Sequence, residues 1–230
     1  MSERGLLRYT ASRGERVRSI AIIGRGHLGA AAVGAALASG WDVRLVVTNR
    51  AEPAWDTAPT GKVLSEHVPF IWPAIPVDRS GDWRTLIGLD VDAVLSVLYD
   101  RIIGKELIDG PARVLNLHLG KLPEYRGMRP INWALRNGES VAGVTLHEVD
   151  PGIDTGPIVA QSTFSIWPEV DEVRDVWRRA LHAAEGILWE TLPILDRLPA
   201  VPQDEARAGY YNAAHMALLG DRANWTRSTS

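Results

Sequence analysis

Cysteine is absent from the whole 230-residue chain. Its absence removes disulfides, thiolate nucleophiles and cysteine-based metal sites together, so any nucleophile must come from elsewhere, and no metal is expected. An excess of positive charge is missing too: a formal net charge of −3 and a pI near 6.1 offer no basic stripe of the kind that grips tRNA or duplex, so no nucleic-acid partner is expected. Long apolar runs are also missing. The most apolar stretch, residues 28–38, is too short and too rich in Gly and Ala to span a bilayer. The polar, arginine-rich amino terminus lacks the apolar stretch of a secretory signal. A cytoplasmic location with no membrane partner is the expectation. Only two phenylalanines accompany nine tryptophans; the tryptophans read mainly as core and interface packing, with room for one or two against a planar ligand. No internal repeat or low-complexity block stands out.

What is present alternates between strand and helix signals. Residues 17–23 read as a buried strand, followed by the turn Gly24-Arg25-Gly26-His27-Leu28-Gly29, a small-residue helix to about Ala38 and a second buried strand at 42–48. Residues 49–59 read as a loop, 60–67 as a short helix capped by Thr60, 70–75 as a weak strand broken by prolines, 82–89 as a helix and 92–98 as a third buried strand. This order predicts an α/β fold: a Rossmann-like, mostly parallel sheet with helices on both faces. Further along, Pro130 suits the start of a helix that Asn137-Gly138 ends. Strands are expected at 141–149 and 158–166, and a long helix over 170–198 that Pro193 should kink or end. A short strand around 209–212 and a polar tail complete the chain.

Residues 116–158 carry the most information. Apolar and polar positions alternate in Val114-Leu115-Asn116-Leu117-His118-Leu119, so a strand here points Asn116 and His118 to one face and the three leucines into the core. Two residues of rise span roughly 6.6 to 6.8 Å, close enough for both side chains to converge on one small group. A Gly-Lys-Leu-Pro turn follows at once, which places the pair at a strand's carboxyl end, where open α/β sheets have their ligand crevice. The loop holding Pro151, Gly152, Asp154 and Gly156 is rich in turn residues, so Asp154 sits where the backbone can bend towards a ligand.

Five collinear blocks, Asn-x-His, Leu-Pro-x-Tyr-Arg-Gly, Pro-Ile-x-Trp-Ala, Gly-Val-Thr-Leu-His and Ile-Asp-Thr-Gly-Pro-Ile, together resemble the formyltransferases that use 10-formyltetrahydrofolate; the upstream SVLYDRIIGKELID extends the likeness. The resemblance implies a formyltransferase core with a short C-terminal extension: residues 1–16 as a flexible N-terminal segment, 17–198 as the catalytic domain and 199–230 as a short strand and tail. It implies Asn116, His118 and Asp154 as the catalytic trio and 10-formyltetrahydrofolate as the donor co-substrate. Formyl transfer needs a site for the developing oxyanion, which Asn116 and a protonated His118 suit as donors, and a carboxylate beside the imidazole that favours its charged form or takes up the amine's proton through a water. By the same resemblance, Arg101, Ile102 and Ile103 lie in a pterin-wrapping loop with mainly backbone contacts, His147 supports the folate side, and Gly152 and Ile153 complete the cofactor side. Acceptor-side candidates are Gly24, Gly26, Lys121, Tyr125 and Arg126. Arg126 reads equally as a salt bridge pinning its turn, Lys121 as a solvent-facing cation, and Trp133 as packing on the sheet. The family's usual His-Pro-Ser-Leu-Leu-Pro is here His118-Leu119-Gly120-Lys121-Leu122-Pro123, losing a hydroxyl and gaining a cation.

Gly24-x-Gly26-x-x-Gly29 is also the dinucleotide fingerprint. The expected acid about 20 residues on is missing: that position reads Thr48-Asn49-Arg50, so an NADP-dependent reductase is the rival from another class. The Gly-rich turn is better read as offering backbone amides to the acceptor or a phosphate. The expected acceptor is a small-molecule amine. Too few residues follow Leu198 for the extra barrel of the initiator-tRNA enzyme, and the purine-pathway Gly-Ser-Asn grip is missing from the first turn. The short enzymes acting on dTDP-, GDP- or UDP-linked amino sugars resemble the chain more closely, down to Tyr210-Tyr211. An amine of an antibiotic or siderophore pathway is the alternative, and a homodimer fits the reading.

Overall fold

Alternate residues of one buried strand feed two different apolar clusters. In β1 (Ser19–Gly24) Ile20 and Ile22 pack into the larger cluster, while Ala21 and Ile23 pack into the smaller one on the opposite face. A strand with both faces covered is what a continuous aliphatic run predicts. The computed structural model describes residues 17–49, 74–77, 86, 88–99 and 102–224. Around β1 lie β2 (Asp42–Asn49), β3 (Ala74–Val77), β4 (Ala93–Val97) and β5 (Arg113–His118), all parallel, in the order β3-β2-β1-β4-β5. After the two-residue β6 (Arg126–Gly127), β7 (Val141–Glu148) and β8 (Ile158–Ser165) extend the sheet to seven strands as antiparallel neighbours beside β5. The fold is thus α/β and mostly parallel.

Helices cover both faces. On the larger cluster lie α1 (Gly26–Ala38), α3 (Pro130–Arg136) and α4 (Val173–Thr191), with the short α2 (Lys105–Ile108) on the other face through Leu107. Gly29, Ala32, Ala35 and Ala36 of α1 are all buried, so small residues let that helix approach the sheet closely. Along α4 the buried positions Val173, Val176, Ala180, Ala184, Ile187, Leu188 and Thr191 recur at helical spacing, and a Glu172/Asp175 capping box closes its amino end. The long helix therefore starts later than residue 170. It ends at Thr191, and Pro193 is the second residue of a tighter 3₁₀ turn over Leu192–Arg197 that follows. The expected helix at 60–67 lies outside the described residues, as do most of the expected helix at 82–89, residues 70–73 of the expected strand at 70–75, all of residues 1–16 and all of the expected loop at 49–59 except Asn49, which closes β2; Ala74 and Ile75 open β3.

The chain beyond Leu198 packs back on the sheet. Val201 and Ile158 exchange backbone hydrogen bonds at 2.8 Å each way. The strand β9 (Tyr210–Tyr211) pairs in parallel with β6, and Tyr211 stacks on Trp133 at 4.6 Å and on Tyr125 at 5.6 Å between ring centres. Trp133 thus packs against the C-terminal segment. Gly156 shows how tight the loop before β8 is: a Cβ there would collide with the backbone carbonyl of Glu148. Gly156→Ala should destabilise the protein by about 1 to 3 kcal/mol, read by denaturant unfolding; an unchanged midpoint would mean that the loop has room to spare.

Candidate active site

Groups from three strands, β5, β6 and β7, converge on one carboxylate at the centre of the site. Asp154 sits in the loop between β7 and β8 with φ +54°, in the left-handed region. The preceding turn is fixed by Asp150, whose Oδ1 accepts from the Gly152 amide at 3.1 Å and from the Thr155 hydroxyl at 2.5 Å. The Asp154 Oδ2 accepts from the Gly127 amide of β6 at 2.8 Å and lies 3.5 Å from His118 Nδ1, while Oδ1 lies 3.5 Å from His147 Nε2. Only 14% of its side chain is exposed. Burial opposes ionisation, but the charges of His118 and His147 and the hydrogen bonds from His147 and Gly127 outweigh it, and hold the carboxyl well below the usual range. A carboxyl depressed in the folded state stabilises the protein above its unfolded value, about 3.8, and loses that contribution as pH falls through the lower folded value. Acid titration of unfolding should therefore show wild type more stable than Asp154→Asn near neutrality, with the gap closing only below about pH 4; a constant gap would refute the assignment.

The two histidines come from neighbouring strands. Leu115 and Leu117 of β5 face the larger cluster with Leu119 just beyond the strand, and Asn116 and His118 share the opposite face, as the alternation predicts. Asn116 lies directly across the antiparallel pair from His147, and its Nδ2 is 3.3 Å from His147 Nε2. Nδ1 of His147 donates to the Glu148 carbonyl at 2.7 Å. His118 Nε2 lies 2.7 Å from the Tyr125 carbonyl; a carbonyl only accepts, so Nε2 carries a proton, and Nδ1 faces a carboxylate. That is a departure from the sequence expectation: His118 spends Nε2 on the Tyr125 carbonyl and turns Nδ1 to Asp154, and of the two expected oxyanion donors Asn116 is the one whose amide reaches the cleft wall without a backbone acceptor. Gly120 makes this seat possible, since a Cβ there would clash with the His118 ring.

Beside these groups opens a cleft of about 480 Å³, lined by Arg25, Tyr99, Asn116, His118, Gly127, Arg129 and Trp177 among others. Arg25 follows β1, Tyr99 follows β4, and Asn116 and His118 end β5, so the cleft lies at the carboxyl ends of parallel strands, at the sheet edge that binds ligands in open α/β folds.

The remaining sequence candidates distribute unevenly. Arg101 lies outside the described residues, as does Arg50. Ile103 is buried in the smaller apolar cluster and Ile102 is 82% exposed, so neither side chain lines the cleft. Gly152 packs on Thr155, and Ile153 is half-exposed at the loop tip. Gly24 ends β1 and Gly26 opens α1 with φ +61°; the side chain between them, Arg25, is the one that reaches the cleft. Lys121 pairs with Glu124 at 3.2 Å and is not among the cleft's lining residues. The Tyr125 hydroxyl donates to Glu139 at 2.6 Å; burial first, then that carboxylate, pushes the phenol well up. Arg126 forms a bidentate pair with Glu205 at 2.6 and 3.0 Å, the turn-pinning arrangement. Sequence reasoning missed Arg25, Arg129, the Gly127 amide, the Tyr125 carbonyl and Gln203; only Arg25, between two flagged glycines, and Arg129, before the flagged Pro130, carried any signal. Among the described residues no three His, Asp or Glu side chains gather as metal ligands, and no helix is long and apolar enough to cross a membrane.

A mostly parallel sheet with an amide, two imidazoles and a carboxylate at its carboxyl edge defines a doubly wound α/β protein with an acid–base site. The sequence profile of the family described as formyl transferase matches residues 18–192, and the chain belongs to that family. A methionyl-tRNA formyltransferase of Koribacter versatilis is 35% identical over 178 residues, 73% of this chain; the chain spans about half, 56%, of that relative's length. The N-formyltransferase of Helicobacter canadensis, solved with folinic acid and dTDP-3-aminofucose, shares the fold at 21% identity with a TM-score of 0.68, covering 86% of this chain and 72% of its own. Glycinamide ribonucleotide transformylase 1 of Symbiobacterium toebii does so at 24% identity with a TM-score of 0.64, covering 84% of this chain and all of its own.

Proposed function

We propose that the protein transfers a formyl group from 10-formyltetrahydrofolate to the primary amine of a small molecule, a nucleotide-linked amino sugar being the acceptor best supported. One observation carries the reading: a buried carboxylate held between two imidazoles, with an asparagine amide beside them at the wall of a cleft. The formyl donor, when bound, supplies an electrophilic carbonyl. Asn116 then donates to the oxygen as it becomes negative, and the positive edge of the His118–Asp154 pair adds field at that point. The amine's proton leaves through water and a proton returns to N10 of the folate as its bond to the formyl carbon breaks, releasing tetrahydrofolate, while the ionised Asp154 carboxylate orients the two imidazoles along that route. No acyl-enzyme is required, because the nucleophile arrives with the acceptor.

Acceptor choice rests on the cleft's other wall. Arg25 and Arg129 offer cationic forks suited to a diphosphate, and Tyr99 and Trp177 offer flat faces suited to a base or sugar. The complex of the Helicobacter canadensis relative with dTDP-3-aminofucose supports the same class. Methionyl-tRNA is the second reading, favoured by the 35% identical relative and disfavoured by the net charge of −3. The test is direct: purified protein and 10-formyltetrahydrofolate are offered dTDP-, GDP- and UDP-linked amino sugars, glycinamide ribonucleotide and charged initiator tRNA, and products are read by mass for one added formyl group. Formylation of a sugar amine is expected; formylation of methionyl-tRNA alone would replace the acceptor, and failure with every amine would end the proposal.

A further inference from the structure

The carboxamide of Gln203 is fully engaged, and all its partners belong to the site. Its Nε2 donates to the backbone carbonyls of Asp154 at 2.8 Å and Gly156 at 2.7 Å, and its Oε1 accepts from Arg126 Nε at 3.0 Å. Those two carbonyls flank Thr155, so one amide group grips the turn that aims the carboxylate. The opposite end of the same lever is also fixed. Arg126 is held by Glu205, and the next residue, Gly127, gives its amide to Asp154 Oδ2. The segment around Gln203 is stitched on both sides, by Val201 to Ile158 before it and by Gly209 to Pro123 and Arg126 after it.

We infer that Gln203 is a positioning residue for Asp154, and that the C-terminal segment thereby sets the geometry of the site. Asp154 needs such a constraint. A non-glycine residue in the left-handed region is strained and persists only where its surroundings over-determine it. Oδ1 and Oδ2 must each meet a different imidazole, and a rotation of the Asp154–Gly156 turn would lose one of them. The inference rests on the formyl-transfer reading for its kinetic consequence, and on geometry alone for the hold on the loop.

The experiment therefore has two arms. In the first, Gln203→Leu and Gln203→Glu are assayed with the acceptor that turns over in the panel above. Both should lower kcat by about 10- to 100-fold, as displacements near 1 Å do, with KM for donor and acceptor within about threefold of wild type. Gln203→Glu keeps the acceptor for Arg126 and severs only the two donations to the loop, so it isolates that half and covers a folding failure of the leucine variant. Its new carboxyl would face two carbonyls, so its deficit relative to wild type should shrink as pH falls from about 8 to about 5.5 and it regains a donor proton; a purely structural weakening has no such pH signature. In the second arm, which needs no substrate, the imidazole ¹⁵N signals of His118 and His147 should move in both variants, and those of His27 and His182 should stay. Folded variants with kcat within about threefold of wild type, or with unmoved His118 and His147 signals, would overturn the inference. If wild type itself formylates nothing, the formyl-transfer reading fails alone and the ring signals still decide whether Gln203 holds Asp154.

Discussion

Replacing Asp154 by asparagine should lower kcat for formyl transfer by about 10² to 10⁴, since a carboxylate that orients an imidazole is worth up to roughly 10⁴ in rate. The arrangement leaves an amide no good way to stand in. Oδ1 and Oδ2 face three groups, the Gly127 amide, His118 Nδ1 and His147 Nε2, and a carboxylate can accept from all of them. An asparagine has one oxygen and one NH₂ group, so at least one N–H would confront another donor at the distance of a hydrogen bond. The result would be a rotated His118 or a displaced Gly127, and in either case the orientation of the imidazoles is lost. KM for the donor should change much less than kcat, because Asp154 stands behind Gly127 and is not among the cleft's lining residues. Steady-state kinetics with the formylatable acceptor decides it: kcat within about tenfold of wild type would remove Asp154 from the mechanism.

His118→Ala is the second large effect, expected at about 10² to 10³ in kcat, because the imidazole that Asp154 orients at the cleft wall and the field it adds at the developing oxyanion are lost together. It should also reduce stability by about 1 to 3 kcal/mol, because the buried Tyr125 carbonyl loses its donor and Asp154 loses one of its two imidazole neighbours. The two substitutions remove parts of one unit. The double variant should fall well short of the product of the single losses. Full multiplicativity would mean that the pair acts independently, contrary to the 3.5 Å contact between them.

The sheet was legible because its strands obey a period of two with little competition. Asn116 and His118 could be assigned to one face from the leucines between and beside them, and the structure buries those leucines at 0%, 2% and 7% exposure. Pro130 and Gly138 marked the ends of α3 for reasons of backbone chemistry that hold in any fold, with Gly138 at φ +74°. The start of α4 was less readable, since Trp167 to Asp171 forms a turn closed by Asp171 Oδ2 on the Trp167 amide at 2.7 Å, which periodicity does not reveal. Asp154 entered through its turn-rich loop and through resemblance. What escaped were main-chain partners: the Gly127 amide and the Tyr125 carbonyl carry no side-chain signature, and Gln203 sits in a polar stretch whose composition reads as tail. Such contacts depend on which distant segments meet, and no local pattern encodes that.

The pairing of β6 with β9 has a consequence for biosynthesis. On a ribosome the parallel strands, the paired histidines and the loop carrying Asp154 can all emerge and collapse before Gln203 or Tyr211 has been polymerised. Until that last stretch lands, the nascent chain is a sheet whose acid has no external clamp. Competence for chemistry should therefore appear abruptly during translation, after the strands have paired and only once that segment, with Leu219, has closed over the larger apolar cluster.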